Sequence, residues 1–249
     1  MPGTVATGGV ILANGSDLSA YLQSIDAPRQ QDLKDTTVFA SNGFKEFVPG
    51  INEIDVKAEG FYGDNAVDDT KSVDYLFNSL FGTGTTGLLT VMPEGGTAGN
   101  RALLLNSVLA KYQIGIKVGD LQMALFEAKA TGRSGATSGS FARGISLLQQ
   151  TVTGAVNGST IDNTTTSVGW LANAHNTDSD GTATVKVQHS TNGTVWVDLI
   201  TFGGALATRS AAQSVDTTTT VNQYRRGIVA SIGGTTNKVS VGFASPYSG

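Results

Sequence analysis

The chain has 249 residues, 39% of them hydrophobic, 14% charged and 7% aromatic, with a formal net charge of −4. That balance excludes the apolar-poor, strongly charged composition of disorder, and the length fits one large domain or two of about 100–150 residues. Cysteine is absent, which removes disulfides, thiolate metal sites and cysteine nucleophiles.

The two histidines, His175 and His189, leave no poly-histidine metal site, and no apolar run approaches the ~20 residues of a membrane span. Met1 to Val10 lacks the basic start and apolar core of a secretory signal. The chain is therefore expected in a cytoplasm or in an assembly, without a membrane. Thirty-two glycines point to strands joined by tight turns.

In chain order, an extended polar segment first covers Ala27–Thr36. Its Gln, Asp and Lys content predicts an arm that orders only when something packs on it. Ile54-Asp55-Val56-Lys57-Ala58-Glu59 alternates apolar and charged, as a half-buried strand does. Val73, Leu76, Phe77 and Leu80 follow at i, i+3, i+4 and i+7, one face of a helix. Asp68, Asp69 and Thr70 offer its N-cap and Gly82 its C-cap.

Leu88–Met92, Ile114–Val118 and Leu121–Ala128 read as further strands, with Gly119-Asp120 as a turn. Thr131 to Ser140 is almost all Gly, Ser, Thr and Ala, the composition of a linker. Charge shifts at the same place: residues 1–133 hold ten Lys/Arg and fifteen Asp/Glu, net −5, and residues 134–249 hold six Lys/Arg and five Asp, net +1. The boundary is placed at residues 135/136, with Thr151–Ser167 as a long loop in the second part.

Val185, Val187 and His189 alternate with Lys186, Gln188 and Ser190, and Asn192-Gly193 then predicts a type I′ hairpin turn into Val195–Phe202. Val168–Ala174, Ile228–Ile232 and Val239–Phe243 complete an antiparallel sandwich pattern.

Sites for chemistry are sparse. Asp68-Asp69 and Asp32…Asp35 sit beside Lys71 and Lys34 as solvated loop charges. Asp178-Ser179-Asp180-Gly181 lacks the later ligands of a calcium loop and reads as a turn. Each histidine lies in strand-like sequence and reads as structural. Gly82-Thr-Gly-Thr-Thr-Gly87 lacks the Gly-Lys-Ser/Thr of a phosphate loop, and Ser138 has no elbow around it. Arg225-Arg226 is the lone adjacent basic pair, so no stripe for nucleic acid is drawn. No catalytic, metal or cofactor residue is expected, and none of this points to an enzyme.

The order of N-terminal elements does carry a resemblance. Asp17-Leu-Ser-Ala-Tyr-Leu-Gln-Ser-Ile-Asp26, Thr37-Val-Phe-Ala-Ser41, Phe44-Lys-Glu-Phe-Val-Pro-Gly50, Gly60-Phe-Tyr-Gly63, the capped helix and Val91-Met-Pro-Glu-Gly95 resemble the tail tube (major tail) proteins of long-tailed bacteriophages over residues 10–135. Val185–Ser190 with Asn192-Gly193 and Trp196, Val221–Arg226 and Val239–Ala244 resemble the accessory β-sandwich that some tail proteins carry.

The resemblance implies a mainly β fold. A tail-tube-type sandwich or barrel with one flanking α-helix (Val73, Leu76, Phe77, Leu80) would occupy residues 1–135. A second antiparallel β-sandwich, Ig-like or jelly-roll-like and outward-facing, would occupy 136–249. It also implies hexameric rings stacked into a tube in the virion, assembled in a bacterial cytoplasm. The partners would be further copies, tail proteins at the tube ends, and DNA that passes without specific binding. Pro28, Arg29, Gln30, Gln31, Asp32, Leu33, Lys34 and Asp35 would form an inter-ring arm. A capsid decoration or other outer virion protein is the competing reading. A carbohydrate-binding adhesion module, suggested by Trp170, Trp196 and Tyr224, is a third.

Overall fold

In a computed structural model, the described residues are 8–27, 29–35, 47–61, 86–117, 120, 122–130, 141–177 and 180–246. All regular structure among them is β. The strands are β1 (Val10–Ala13), β2 (Ser16–Asp17), β3 (Leu22–Asp26), β4 (Arg29–Asp35), β5 (Phe47–Phe61), β6 (Gly87–Met92), β7 (Arg101–Gly115), β8 (Met123–Ala130) and β9 (Phe141–Val152). After these come β10 (Val156–Asn157), β11 (Ile161–Asp162), β12 (Ser167–Thr177), β13 (Ala183–Ser190), β14 (Val197–Thr201), β15 (Ser210–Val221), β16 (Tyr224–Ile232) and β17 (Asn237–Ala244). Every pairing is antiparallel.

One twelve-stranded sheet runs through most of the chain in the order β15-β12-β17-β9-β7-β6-β1-β2, with β8, β5, β3 and β4 branching from β7. The branch is possible because β7 is fifteen residues long. Its first half pairs with β6 on one side and β9 on the other, and its second half pairs with β8. A bulge between Leu109 and Lys111 lies where the strand passes from one layer to the next.

The two layers enclose an apolar cluster of Ile11, Ala13, Leu18, Val56, Ala58, Leu89, Val91, Leu105 and Phe126 with their neighbours. In the second half, β9, β17, β12 and β15 face a five-stranded sheet of β10 and β11 on β16, then β13 and β14. Leu147, Ala172, Val185, Val187, Phe202, Val229, Val239, Val241 and Phe243 fill that core.

Strands expected from alternation occur with shifted ends: Ile54–Glu59 lies within β5, Leu88–Met92 within β6 and Val239–Phe243 within β17. Ile114–Val118 is corrected over its described residues 114–117: Ile114 and Gly115 end the much longer β7, and Ile116 and Lys117 lie beyond it. The loop drawn over Thr151–Ser167 contains the two-residue strands β10 and β11.

The type I′ turn at Asn192-Gly193 is also corrected. Gly193 alone of the pair has positive φ (72°), and six residues separate β13 from β14. Side chains close this loop: Ser190 Oγ accepts from the Asn192 and Gly193 N–H groups, and Asn192 Oδ1 from those of Thr194 and Val195. The helix face Val73, Leu76, Phe77 and Leu80 and the linker Thr131–Ser140 lie outside the described residues.

The halves meet along a continuous seam. Leu12, Met92, Ala102 and Leu104 pack with Ala142, Leu171 and Ala244 in a third cluster, and β7 hydrogen-bonds directly to β9. Gly15, at φ 81°, turns the β1–β2 hairpin against the backbone of Arg209 and Ser210, where a Cβ would have no room.

Candidate functional site

The part of the fold with the most unfinished business is the layer β3/β4–β5–β8–β7. β3 and β4 run one after the other along the same side of β5: Leu22–Asp26 pairs with Gly60–Lys57, and Arg29–Asp35 with Ile54–Phe47. On the other side of β5 lies β8, and beyond it the second half of β7.

Among the described residues, β3 and β4 have no partner on their outer edge. Val108–Gly115 of β7 likewise has none opposite β8, because β6 reaches only Leu103–Ser107. Unpaired edges are normally blunted by charge, proline or a covering element. Here both carry exposed apolar side chains instead: Ile25 (36%) on one edge, Val108 (37%) and Ile114 (38%) on the other, with Ile116 (73%) just beyond.

The two faces of this layer differ sharply. Val56, Ala58, Ala124, Phe126 and Ala128 point into the core. The opposite face carries a directly opposed row of alternating sign across four strands: Asp26, Lys57, Glu127, Lys111. A neighbouring row holds Asp55 and Lys129, whose Nζ and Oδ1 lie 3.6 Å apart. Glu59 lies in a third row with Ser24, Leu125 and Gln113. Four acids against three lysines leave this face near neutrality.

The seam between the halves is polar at one point. His175, on β12, is wholly buried. Its Nδ1 accepts the Gly15 N–H (3.3 Å), and Thr90 Oγ1 lies 2.9 Å from its Nε2. Nδ1 can accept only if unprotonated, so the ring is neutral with its proton on Nε2. Burial pushes its pKa down to about 3, against a weaker opposing pull from Asp17.

Asn173 reaches across the same seam to Thr90 Oγ1 (3.3 Å), and Gln213 holds its oxygen (2.9 Å). Burial alone would raise the Asp17 carboxyl, but the Lys238 ammonium at 2.5 Å and the donors of Ser19 outweigh it and hold the pKa low.

The expected sites fall as follows. Of the proposed arm, Pro28 lies outside the described residues, and Arg29, Gln30, Gln31, Asp32, Leu33, Lys34 and Asp35 form β4. The arm is thus a strand already paired on one side within its own chain. The long β5 supplies the ladder for it.

His175 and His189 are both held in the fold; His189 Nδ1 accepts the Asn222 N–H at 3.1 Å. Asp180 caps the backbone N–H groups of Thr235 and Thr236 (both 2.9 Å). Trp170 is buried with Nε1 donating to Ser214 (3.1 Å), whereas Trp196 lies half-buried with the Arg226 guanidinium 4.2 Å over its ring. The free edges were not read from the sequence. Their signal was present in Ile114 and Ile116, which stand exposed at and just beyond the end of β7.

No protein-family model and no curated protein matches the sequence. Among solved structures, the chain is similar to one from the virion of a native gene transfer agent particle (14% identity, 49% of this chain and 92% of that one, TM-score 0.38). It is also similar to the SPP1 Dit protein, described as a paradigm of the hub adsorption apparatus in phages infecting Gram-positive bacteria (12% identity, 95% and 99% covered, TM-score 0.36). A third is from the phage p2 baseplate in its activated conformation (9% identity, 95% and 98% covered, TM-score 0.30). At TM-scores this low the likeness carries no argument.

Proposed function

We propose that the chain is a structural virion protein whose copies join side by side into rings that stack as a tail tube. The observation that carries this reading is the layer β3/β4–β5–β8–β7, open at both edges among the described residues. Its four strands alternate in direction, so β7 runs opposite to β3. A second copy placed head-to-tail therefore sets its β3 antiparallel to the first copy's β7, and every later copy does the same. Head-to-tail contacts that close give rings. Each junction pairs backbone groups that water otherwise satisfies and brings Ile25 toward Ile114.

Six copies would contribute twenty-four strands. At about 4.8 Å per strand, that wall is ~115 Å around and roughly 37 Å across before tilt widens it. Porins of about sixteen to eighteen strands already enclose an aqueous channel, so such a ring has room for a passing polymer. The alternating face of Asp26, Lys57, Glu127 and Lys111 would line it. With acids and lysines nearly balanced, it offers DNA no run of phosphate contacts and so little salt-dependent grip.

The free edge of β4 suits the proposed inter-ring arm, Pro28 to Asp35. The division at residues 135/136 gives a tube layer and an outward sandwich that share the seam around Leu104 and Leu171. The test is negative-stain microscopy of concentrated protein. Rings or hollow tubes with sixfold views are expected, and a monomer under all salt conditions in which the chain stays folded contradicts the reading.

A further inference from the structure

On the outer face of the five-stranded sheet, away from the tube layer, a chain of interlocked polar side chains crosses three strands. Gln188 on β13 is directly opposite Asp198 on β14 and Arg226 on β16. Its Oε1 accepts from Arg226 Nε (2.9 Å) and Nη2 (2.7 Å), and its Nε2 donates to Asp198 Oδ1 (2.7 Å). The second oxygen of Asp198 accepts from Lys186 Nζ at 2.6 Å. Arg226 also covers one face of the Trp196 ring, and Val195 (68%) and Val197 (57%) flank that tryptophan in solvent.

Stability does not account for this row. Exposed ion pairs contribute about 0–1 kcal/mol, and fixing long side chains has an entropic cost. What the row achieves is pre-organisation: the planar groups of Gln188, Asp198 and Arg226 are locked in one orientation beside an aromatic ring. Among the described residues no carboxylate pairs with Arg226, whose acceptor is the neutral Gln188. Arg226 keeps three N–H groups beyond the two given to Gln188, and Lys186 keeps two protons beyond the one given to Asp198. A planar guanidinium presents paired donors that match a carboxylate or phosphate. An indole flanked by fixed donors and acceptors suits the apolar C–H face and the vicinal hydroxyls of a sugar ring.

We propose that this face binds an acidic saccharide, its ring packed on the Trp196 side of the row and its anionic group held by Arg226 and Lys186. The proposal does not depend on ring assembly. It calls for an anion and a sugar together, which a protein interface or a purely apolar contact does not.

Trp170 and Trp196 are the only tryptophans, and Trp170 is buried in the core, so intrinsic fluorescence reads the site against an internal reference. Titration of the full chain with trigalacturonate (a carboxylate) and glucose 6-phosphate (a phosphate), beside neutral maltotriose, tests it. A saturable change with at least one acidic probe, at least tenfold tighter than with maltotriose, is expected. By titration calorimetry, which does not need the indole as reporter, Trp196→Ala should remove the binding, Trp196→Phe should keep part of it, and Arg226→Gln should weaken it tenfold or more, all with unchanged unfolding midpoints. No saturable response to either acidic probe would overturn the proposal. So would equal response to maltotriose, or binding unaltered in folded Arg226→Gln.

Discussion

The two halves of the chain differ in how much polar material they bury: among the described residues, Thr90, Asn106 and Ser107 in the first, against nine buried polar residues in the second. In the layer β3/β4–β5–β8–β7 an apolar cluster lies on the inward face, and charges stand on the far side of the sheet as the row Asp26, Lys57, Glu127, Lys111. In the second half many more polar groups are buried, Asn173, His175, Asn176 and Arg225 among them. Asn176 Nδ2 donates to the carbonyl of Leu206 (3.0 Å), and Arg225, 1% exposed, donates to Ser167 Oγ (2.7 Å) and lies 5.5 Å over the Phe243 ring. Burial moves the Arg225 pKa down to about 10, still charged at neutrality. On the proposed reading, a sheet that meets copies of itself keeps edges and one face available, whereas buried hydrogen bonds between side chains specify the packing of the second half.

The seam is where this contrast can be broken hardest. Leu171, fully buried between Leu104 and Leu12, ties the halves together. Leu171→Ala should cost about 2–5 kcal/mol. If the seam couples the halves, calorimetry will show one transition moving down; a transition of the second half shifting alone would show that they unfold separately.

The next effect is on pH dependence. His175 titrates near 6.5 when unfolded and at about 3 when folded. Between those values the unfolded state binds more protons, so stability falls as pH drops through this window and is restored above pH ~6.5. The limit for a shift of this size is about 5 kcal/mol. His175→Gln should lower stability at pH 8 and flatten the profile from pH 6.5 to 3. A parallel profile would place the acid sensitivity elsewhere.

Ile25→Lys should change monomer stability by no more than about 0.5 kcal/mol, because Ile25 is a third exposed, yet it should stop ring formation on sedimentation. Unaltered assembly would remove β3 from the contact. The smallest effect belongs to Lys129→Ala. Its pairing with Asp55 is partly exposed, and the loss should stay near 0–1 kcal/mol.

Much of this was legible where a strand has one wet face. Ile54–Glu59 declared itself because its apolar residues are buried and Lys57 and Glu59 are exposed, with Asp55 part-buried beside Lys129. The long polar strands did not. β15 reads Ser-Ala-Ala-Gln-Ser-Val-Asp followed by four threonines, and its partner β12, not its own pattern, holds it. β9 begins directly after the Gly/Ser run, so composition hid its start. Arg29–Asp35 looked like a free arm because nothing in seven polar residues reveals that β5 extends far enough to pair with them.

The free edges were legible only in part. An exposed isoleucine such as Ile116 is visible as sequence, but an open edge is a property of what fails to lie beside it. The outer-face row was hidden as well: Gln188, Asp198 and Arg226 are brought together by cross-strand register.

The absence of cysteine permits a direct test of the edge-to-edge ring. Cysteine placed at residue 25 on β3, combined in turn with cysteine at each of residues 108–115 on β7, should give disulfide-linked ladders under mild oxidation. These ladders should rise to a closed species of six chains for one or two β7 positions of matching facing. Chains carrying cysteine at residue 25 alone should stay unlinked, because in a head-to-tail ring β3 never meets another β3. Dimers from the single variant, or no ladder from any pair in a folded and concentrated protein, would contradict the account.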